Sequence, residues 1–120
     1  MKVLVVDDSM AMRMIVIKTA KKAGLAGHKF LQAADGQQGL EAIRQNKPDL
    51  VLSDWNMPNM TGIEMLEALN EEDIKVKFGF VTTEATTEMR LRARKAGALF
   101  LLPKPFTVET FEQALWVIED

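Results

Sequence analysis

Four apolar residues run directly into two carboxylates in the stretch Val3-Leu4-Val5-Val6-Asp7-Asp8-Ser9. A continuous apolar run of this length, ended by polar residues, is typical of a strand that is covered on both faces of a sheet. Four more short apolar runs follow along the chain. They occupy residues 29–34, 50–52, 78–81 and 99–102.

Helix-like segments separate these apolar runs. Thr61 and Glu64 form a capping-box pattern, and Gly24 and Gly97 stand where a glycine suits the C-terminal end of a helix. Strict alternation of strands and helices predicts a parallel sheet with helices on both faces. The predicted helices cover residues 9–23, 36–45, 61–69, 86–96 and 107 onward.

Composition limits the class of protein. A chain of 120 residues with 48% hydrophobic residues predicts one domain, residues 1–120, with a substantial core. With no Cys and a single His, a metal would be held by oxygen, which favours Mg²⁺, Ca²⁺ or Mn²⁺ over zinc. A net charge of −2 offers no strong field for nucleic acid, and no apolar run approaches the roughly 20 residues that span a bilayer. We expect a soluble cytoplasmic protein.

Charged or hydroxyl side chains follow four of the five predicted strands. Asp7 and Asp8 follow the first strand, Asp54 the third, Thr82 the fourth and Lys104 the fifth. Parallel sheets bind ligands beyond the carboxyl ends of their strands, where the strand order reverses. The second strand has no such residue, which suits an edge strand and gives the order 2-1-3-4-5. We therefore expect the three carboxylates to converge.

Three converging carboxylates repel one another unless a cation compensates them. Mg²⁺ prefers oxygen ligands, so two carboxylates and a backbone carbonyl would suffice to hold it, while Lys104 adds a fixed cation and Thr82 a hydroxyl. A carboxylate nucleophile with such neighbours is what phosphoryl transfer requires. Each residue alone is explained as well by helix capping or a turn, so the hypothesis depends on their combination.

Four motifs stand at these strand ends: Val5-Val6-Asp7-Asp8-Ser9, Ser53-Asp54-Trp55-Asn56-Met57-Pro58, Val81-Thr82-Thr83-Glu84-Ala85 and Lys104-Pro105-Phe106. In this order they resemble the receiver domains of bacterial two-component response regulators, most closely the stand-alone chemotaxis receivers of the CheY type. The resemblance covers essentially the whole chain. It implies the family's α/β fold, a doubly wound, flavodoxin-like (βα)5 domain with a five-stranded parallel sheet of order 2-1-3-4-5.

The resemblance also assigns roles around the metal. Asp54 would be the phosphorylated residue, and the ion would be Mg²⁺, or alternatively Mn²⁺. Asp8 would bind the ion directly and Asp7 through water, and Asn56 would supply its backbone carbonyl. The metal set is therefore Asp7, Asp8, Asp54 and Asn56.

The phosphoryl group itself would contact two further side chains. The resemblance implies that Thr82 reaches one phosphoryl oxygen through its hydroxyl and that Lys104 pairs with another, so Asp54, Thr82 and Lys104 form the catalytic set. The Lys104-Pro105 peptide bond is expected to be cis.

The resemblance further implies a signalling protein rather than an enzyme. A histidine kinase would be the phosphodonor, and slow autodephosphorylation, tuned by Asn56 and Glu84, would follow self-catalysed phosphotransfer. A downstream protein, for which the flagellar motor switch is one candidate, would bind helix four, strand five and helix five. Arg90 and Arg94 share one face of that fourth helix. Membranes and nucleic acid are not expected as direct partners.

The fifth strand departs from the family pattern. The chain has no Tyr, and Leu101 stands where the family usually has a switch aromatic residue. The neighbouring Phe100 faces the opposite side of the strand, so it is not a simple substitute. We therefore expect the usual coupling between Thr82 and an inward-turning aromatic residue to be altered.

Three other functions fit part of the pattern. A receiver cut from a larger regulator, for example a DNA-binding one, would carry the same motifs. A Mg²⁺-dependent phosphohydrolase would form the same aspartyl phosphate, but such enzymes place two carboxylates two residues apart after strand one, whereas Asp7 and Asp8 are adjacent. In a flavodoxin-like cofactor binder these two carboxylates would repel the phosphate.

Overall fold

The computed structural model describes residues 1–118. The predicted alternation of strands and helices is confirmed, with shifts of a few residues at the ends. The strands are β1 (Lys2–Val6), β2 (Lys29–Ala33), β3 (Leu50–Ser53), β4 (Lys77–Thr82) and β5 (Phe100–Pro103). The helices are α1 (Met10–Ala20), α2 (Gly36–Asn46), α3 (Gly62–Glu71), α4 (Thr87–Lys95) and α5 (Val108–Trp116).

All strands are parallel, and their order is β2-β1-β3-β4-β5, which confirms the prediction. The chain reverses its direction of winding between β1 and β3, so the crevice of the fold opens beyond the carboxyl ends of these two strands. Val6 lies opposite Ser53 in the ladder. The residues that follow, Asp7 and Asp54, therefore leave the sheet side by side.

Two apolar layers cover the sheet, which explains why the central strands read as continuous apolar runs. Phe78 and Phe80 lie in the layer under α2, α3 and α4, whereas Val81 lies in the layer under α1 and α5. The edge strand β2 is only half covered, with Phe30 and Leu31 partly buried. No helix within residues 1–118 has the length and apolar character that crossing a membrane requires.

The first helical segment is interrupted at the predicted glycine, Gly24. The α-helical part of α1 ends at Ala20, and a π-helical turn (Lys21–Leu25) follows, in which Gly24 has a φ of 123°. Ala23 and Leu25 are both buried in the layer under α5. Gly24 lies between these two residues, and its left-handed backbone breaks the regular helix, as a glycine at the end of a helix does.

Candidate functional site

Three carboxylates converge beyond the carboxyl ends of β1 and β3. The Asp7 amide donates to the Ala33 carbonyl at 3.1 Å and the Asp54 amide to the Val6 carbonyl at 2.9 Å, so both residues extend the sheet ladder by one position. One carboxylate oxygen each from Asp7, Asp8 and Asp54 lies within 4.8 Å of the others. Because Asp7 is buried and Asp8 is exposed, the cluster opens to solvent on the Asp8 side.

A buried ammonium group faces this cluster from the end of β5. Lys104 Nζ lies 2.9 Å from Asp7 Oδ2 and 3.4 Å from Asp54 Oδ2, and only 8% of the Lys104 side chain is exposed. The Lys104 amide donates to the Thr82 carbonyl at 2.8 Å, which extends the β4–β5 ladder in the same way. The predicted cis peptide bond between Lys104 and Pro105 is confirmed.

Three carboxylates meet in this cluster, and Lys104 pairs with two of them, Asp7 and Asp54. A buried charge is stable only when it is paired, so the excess negative charge favours a further cation. All side-chain donors of the cluster are carboxylate oxygens, which suit a hard divalent ion such as Mg²⁺. Asn56 lies two residues after Asp54 in the β3–α3 loop and is exposed. Its carbonyl ligand stays a prediction.

Thr82 brings a covered hydroxyl to the end of β4. The residue is fully buried, and its Oγ1 has no hydrogen-bond partner within residues 1–118. An unpaired buried hydroxyl costs about 1–3 kcal/mol, so its retention suits a bond that forms only in another state of the site. The largely exposed β4–α4 loop begins directly after Thr82.

The Asp54 carboxylate is oriented from both sides. The Trp55 amide donates to Asp54 Oδ1 at 2.7 Å, while Oδ2 faces Lys104. The backbone of Asp54 packs closely against Gly62, because a Cβ at residue 62 would lie 2.1 Å from the Asp54 carbonyl oxygen. Only glycine fits there, so the first residue of α3 helps to set the position of Asp54.

Arg13 forms part of the wall of the site, although no sequence motif pointed to it. Its Nη1 donates to the Asp7 carbonyl at 2.7 Å, and its Nε donates to Gln32 Oε1 at 2.9 Å. The guanidinium group therefore braces the backbone of Asp7 against the end of β2. In the sequence, Arg13 stands out only as the single basic residue in the apolar first turns of α1. Its contact with Gln32 depends on the pairing of β1 with β2.

Leu101 and Phe100 face opposite sides of β5, as the sequence predicted. Leu101 packs in the same layer as Phe80, which it opposes in the β4–β5 ladder. Phe100 lies in the layer under α1 and α5, where a Cβ on Gly79 would come within 2.2 Å of its ring. The Phe100 ring therefore lies directly over Gly79 and is not placed to move behind Thr82.

Asp35 joins the β2–α2 turn to the β3–α3 loop. Its Oδ1 accepts a hydrogen bond from the Gln38 amide at 2.8 Å and thereby caps α2, and its Oδ2 accepts from Asn59 Nδ2 at 2.8 Å. The Gln38 bond first, and then the Asn59 bond, hold the pKa of Asp35 below its ordinary value of 3.8, against the opposing effect of burial. Folding therefore favours the charged form of this carboxyl group.

We expect Asp35 to make the stability of the fold depend on pH in the acid range. A carboxyl group whose pKa is lower in the folded protein stabilises the fold above its unfolded pKa, and this contribution is lost as pH falls through the folded pKa. Asp35→Asn retains a capping oxygen, so it should cost stability at about pH 7 and progressively less towards about pH 3. Urea unfolding of both proteins measures the difference, and a difference that did not vary with pH would contradict this role.

The fold and the site together define a class of protein. The switch point of a doubly wound parallel sheet carries three carboxylates, a buried ammonium group and a covered hydroxyl, which are the parts of a phosphoacceptor domain. The sequence profile of the response regulator receiver domain matches residues 3–116. The chain belongs to this family, whose members are phosphoacceptor signalling domains of two-component systems.

Individual relatives agree with this assignment. Chemotaxis protein CheY-3 of Vibrio cholerae is 35% identical over 117 residues, which cover 96% of this chain and 88% of the relative. Sporulation initiation phosphotransferase F of Bacillus subtilis is 32% identical over 114 residues, which cover 95% and 90%. The solved structure of Vibrio cholerae chemotaxis protein CheY4 matches with a TM-score of 0.83 at 35% identity, covering 96% of this chain and 95% of that chain. The predicted likeness to CheY-type receivers is confirmed.

Proposed function

We propose that Asp54 accepts a phosphoryl group from the phosphohistidine of a histidine kinase in a Mg²⁺-dependent reaction in the cytoplasm. One oxygen of the Asp54 carboxylate attacks phosphorus, a new P–O bond forms, and the P–N bond breaks with its electron pair returning to the imidazole. The observation that carries the proposal is the half-buried Asp54 carboxylate, which has an amide at 2.7 Å on Oδ1 and the Lys104 ammonium at 3.4 Å on Oδ2.

The cation positions support this assignment. Phosphoryl transfer depends mainly on positioning and on neutralising charge at the phosphoryl oxygens. Lys104 reaches Asp54 from the β5 side and supplies one positive charge, and Thr82 would supply a hydroxyl. Asp7, Asp8, Asp54 and the backbone carbonyl of Asn56 would hold Mg²⁺, or alternatively Mn²⁺. The bound ion would supply positive charge to the phosphoryl oxygens.

The product is a signal rather than a released metabolite. We assign the chain slow autodephosphorylation, in which water attacks the aspartyl phosphate and inorganic phosphate leaves. Asn56 and Glu84 are both exposed, and they lie in the loops that follow β3 and β4, at the edge of the sheet that carries Asp54. These two side chains are the residues we expect to set the lifetime of the phosphorylated form.

The surface of α4, β5 and α5 is our candidate for the downstream partner. A cleft of about 290 Å³ between α4 and β5 is lined by Arg90, Arg94, Leu99 and Leu101, among others. Leu91 on α4 is 60% exposed, so cationic and apolar groups alternate here. A flagellar motor switch protein is one candidate partner, in keeping with the chemotaxis relatives. Binding in the presence and absence of beryllofluoride, which mimics a phosphoryl group, tests this assignment.

The fluorescence of Trp55 is expected to report Mg²⁺ binding and then the change at Asp54. Its indole is 7% exposed, contacts the Phe80 ring with centroids 4.9 Å apart, and lies directly after Asp54. We expect its fluorescence to change when millimolar Mg²⁺ is added, and to change again when beryllofluoride or acetyl phosphate follows. Asp54→Asn should abolish the second change.

The other tryptophan provides the control for this measurement. Trp116 on α5 is 60% exposed and lies away from the cluster, so Trp116→Phe should remove its background emission and preserve both changes. A beryllofluoride response of normal size in the Asp54→Asn protein would show that the acceptor is another residue.

A further inference from the structure

Two hydrogen bonds tie the β3–α3 loop, residues 54–61, to the start of α2. Asn59 Nδ2 donates to Asp35 Oδ2 at 2.8 Å, and the Gly36 amide donates to the Met60 carbonyl at 3.0 Å. A Cβ on residue 36 would lie 2.3 Å from the Met60 carbonyl oxygen, so this approach requires glycine. We name Asp35, Gly36, Asn59 and Met60 the loop clamp.

On the α2 side of the loop clamp, the Asp35 side chain is held in place. Asp35 is 6% exposed, and its second oxygen is held by the Gln38 amide, so the carboxylate has little freedom to turn away from Asn59. Asn59 itself has a φ of 67°, in the left-handed region that few residues other than glycine and asparagine adopt readily. The hydrogen bond from the Asn59 side chain therefore comes from a residue whose backbone conformation is already restricted.

The loop clamp acts on the segment that contains Asn56. At one end of this segment the Gly62 amide donates to the Trp55 carbonyl at 2.8 Å, and at the other the clamp holds Asn59. Asn56 lies between these two points and is itself exposed, so the ends restrict where its backbone carbonyl can point. A segment that is ordered before a ligand binds loses less conformational entropy on binding.

We infer that Asp35 is a positioning residue for the metal site, because its bond to Asn59 holds the Asn56 carbonyl beside the carboxylate cluster before the ion arrives. This inference rests on the proposed function and adds to it a residue that lies outside the cluster. Groups that support a metal ligand from behind commonly change metal affinity by about 10–100-fold when they are removed. A single bond acting through a loop should have a smaller effect.

Two substitutions delete the same hydrogen bond and leave the local backbone intact. Asp35→Ser keeps an oxygen that caps α2 but lacks the second oxygen that accepts from Asn59. Asn59→Gly keeps the left-handed conformation but lacks the donor. Each should raise the Mg²⁺ dissociation constant, measured by Trp55 fluorescence, by about threefold to tenfold. The double variant should lose no more affinity than either single variant, because both remove one shared interaction.

Asp73→Gly provides the matched control. Asp73 has a φ of 56° in the exposed loop between α3 and β4, so this variant reproduces the effect of a glycine at a left-handed position far from the cluster. It should leave Mg²⁺ affinity unchanged. Urea unfolding of all variants separates a loss of global stability from a loss of metal affinity.

A second measurement tests the loop clamp without metal. In the metal-free protein, hydrogen exchange of the Gly62 amide should be faster in Asp35→Ser and in Asn59→Gly than in the wild type, and unchanged in Asp73→Gly. Unchanged exchange in the first two variants, or affinity losses that add in the double variant, would overturn the inference. If the wild-type protein bound no Mg²⁺, the proposed function would fail, and the exchange rates would still decide whether the clamp orders the loop.

Discussion

Asp54→Asn protein is expected to take up no phosphoryl group from acetyl phosphate under conditions that label the wild type. The substitution preserves the size of the side chain but replaces the charged nucleophilic oxygen with an amide, which is too weak a nucleophile to attack phosphorus. Asp54 is also the carboxylate whose two oxygens face the Trp55 amide and Lys104. Intact-protein mass spectrometry measures the covalent phosphoryl group.

A matched control for this experiment is Asp73→Asn. Asp73 is exposed at the end of the molecule opposite the cluster, and its φ of 56° is one that asparagine adopts readily. Its phosphorylation should equal that of the wild type. Labelling of Asp54→Asn at the wild-type level would place the acceptor on a different residue and remove the basis of the proposed function.

Thr82→Val is expected to change stability and phosphorylation in opposite directions. Valine has nearly the shape of threonine, and Thr82 Oγ1 has no partner within residues 1–118, so the substitution removes an unsatisfied buried hydroxyl at little cost in packing. We expect the free energy of unfolding to rise by about 1–2 kcal/mol. If the hydroxyl bonds a phosphoryl oxygen during the reaction, its loss should slow phosphorylation by acetyl phosphate by roughly tenfold to a hundredfold.

The adjacent Thr83 allows the same chemical change to be tested outside the site. Thr83 is exposed, so Thr83→Val removes a solvated hydroxyl and should alter neither the unfolding free energy nor the phosphorylation rate appreciably. Urea unfolding and a phosphorylation time course measure the two quantities. If Thr82→Val were less stable than the wild type and phosphorylated at the normal rate, Thr82 would be a structural residue only.

Such a trade-off between stability and activity is expected where a fold keeps polar groups ready for a ligand. The uncompensated carboxylates beside Lys104 and the covered hydroxyl of Thr82 are both unfavourable in the metal-free protein. Leu101, by contrast, packs as an ordinary apolar residue opposite Phe80. Thr82 lies opposite Pro103 in the same ladder, two positions beyond the pair of Phe80 and Leu101.

Much of the fold was predictable because its signals are local or periodic. The apolar runs predicted five strands, and the Thr61–Glu64 capping box predicted the start of α3. The polar residues at four strand ends predicted the cluster of Asp7, Asp8 and Asp54, since carboxyl ends of parallel strands share one edge. The break at the end of the first helix was predictable as well, because Gly24 supplies the positive φ at which the helical backbone is interrupted.

The contacts that refine the site could not be read from the sequence, because they join segments that are distant in the chain. Arg13 contacts Gln32 across 19 residues of sequence, and Asp35 holds Asn59 across 24 residues. Each pair lies on segments that meet only after the sheet has formed, and hydrogen bonds between such segments leave no periodic pattern in the chain.

By itself, then, the sequence determined which elements form, because periodicity and capping follow from short-range chemistry. The strand order and the meeting of side chains at the switch point were inferred from the alternation of strands and helices and from the polar residues at the strand ends. Only the tertiary structure decided that Lys104 is buried against two carboxylates, that the Thr82 hydroxyl is covered and unpaired, and that α2 clamps the loop carrying Asn56. Burial and hydrogen-bond partners depend on which distant segments pack together, and that packing exists only in the folded chain.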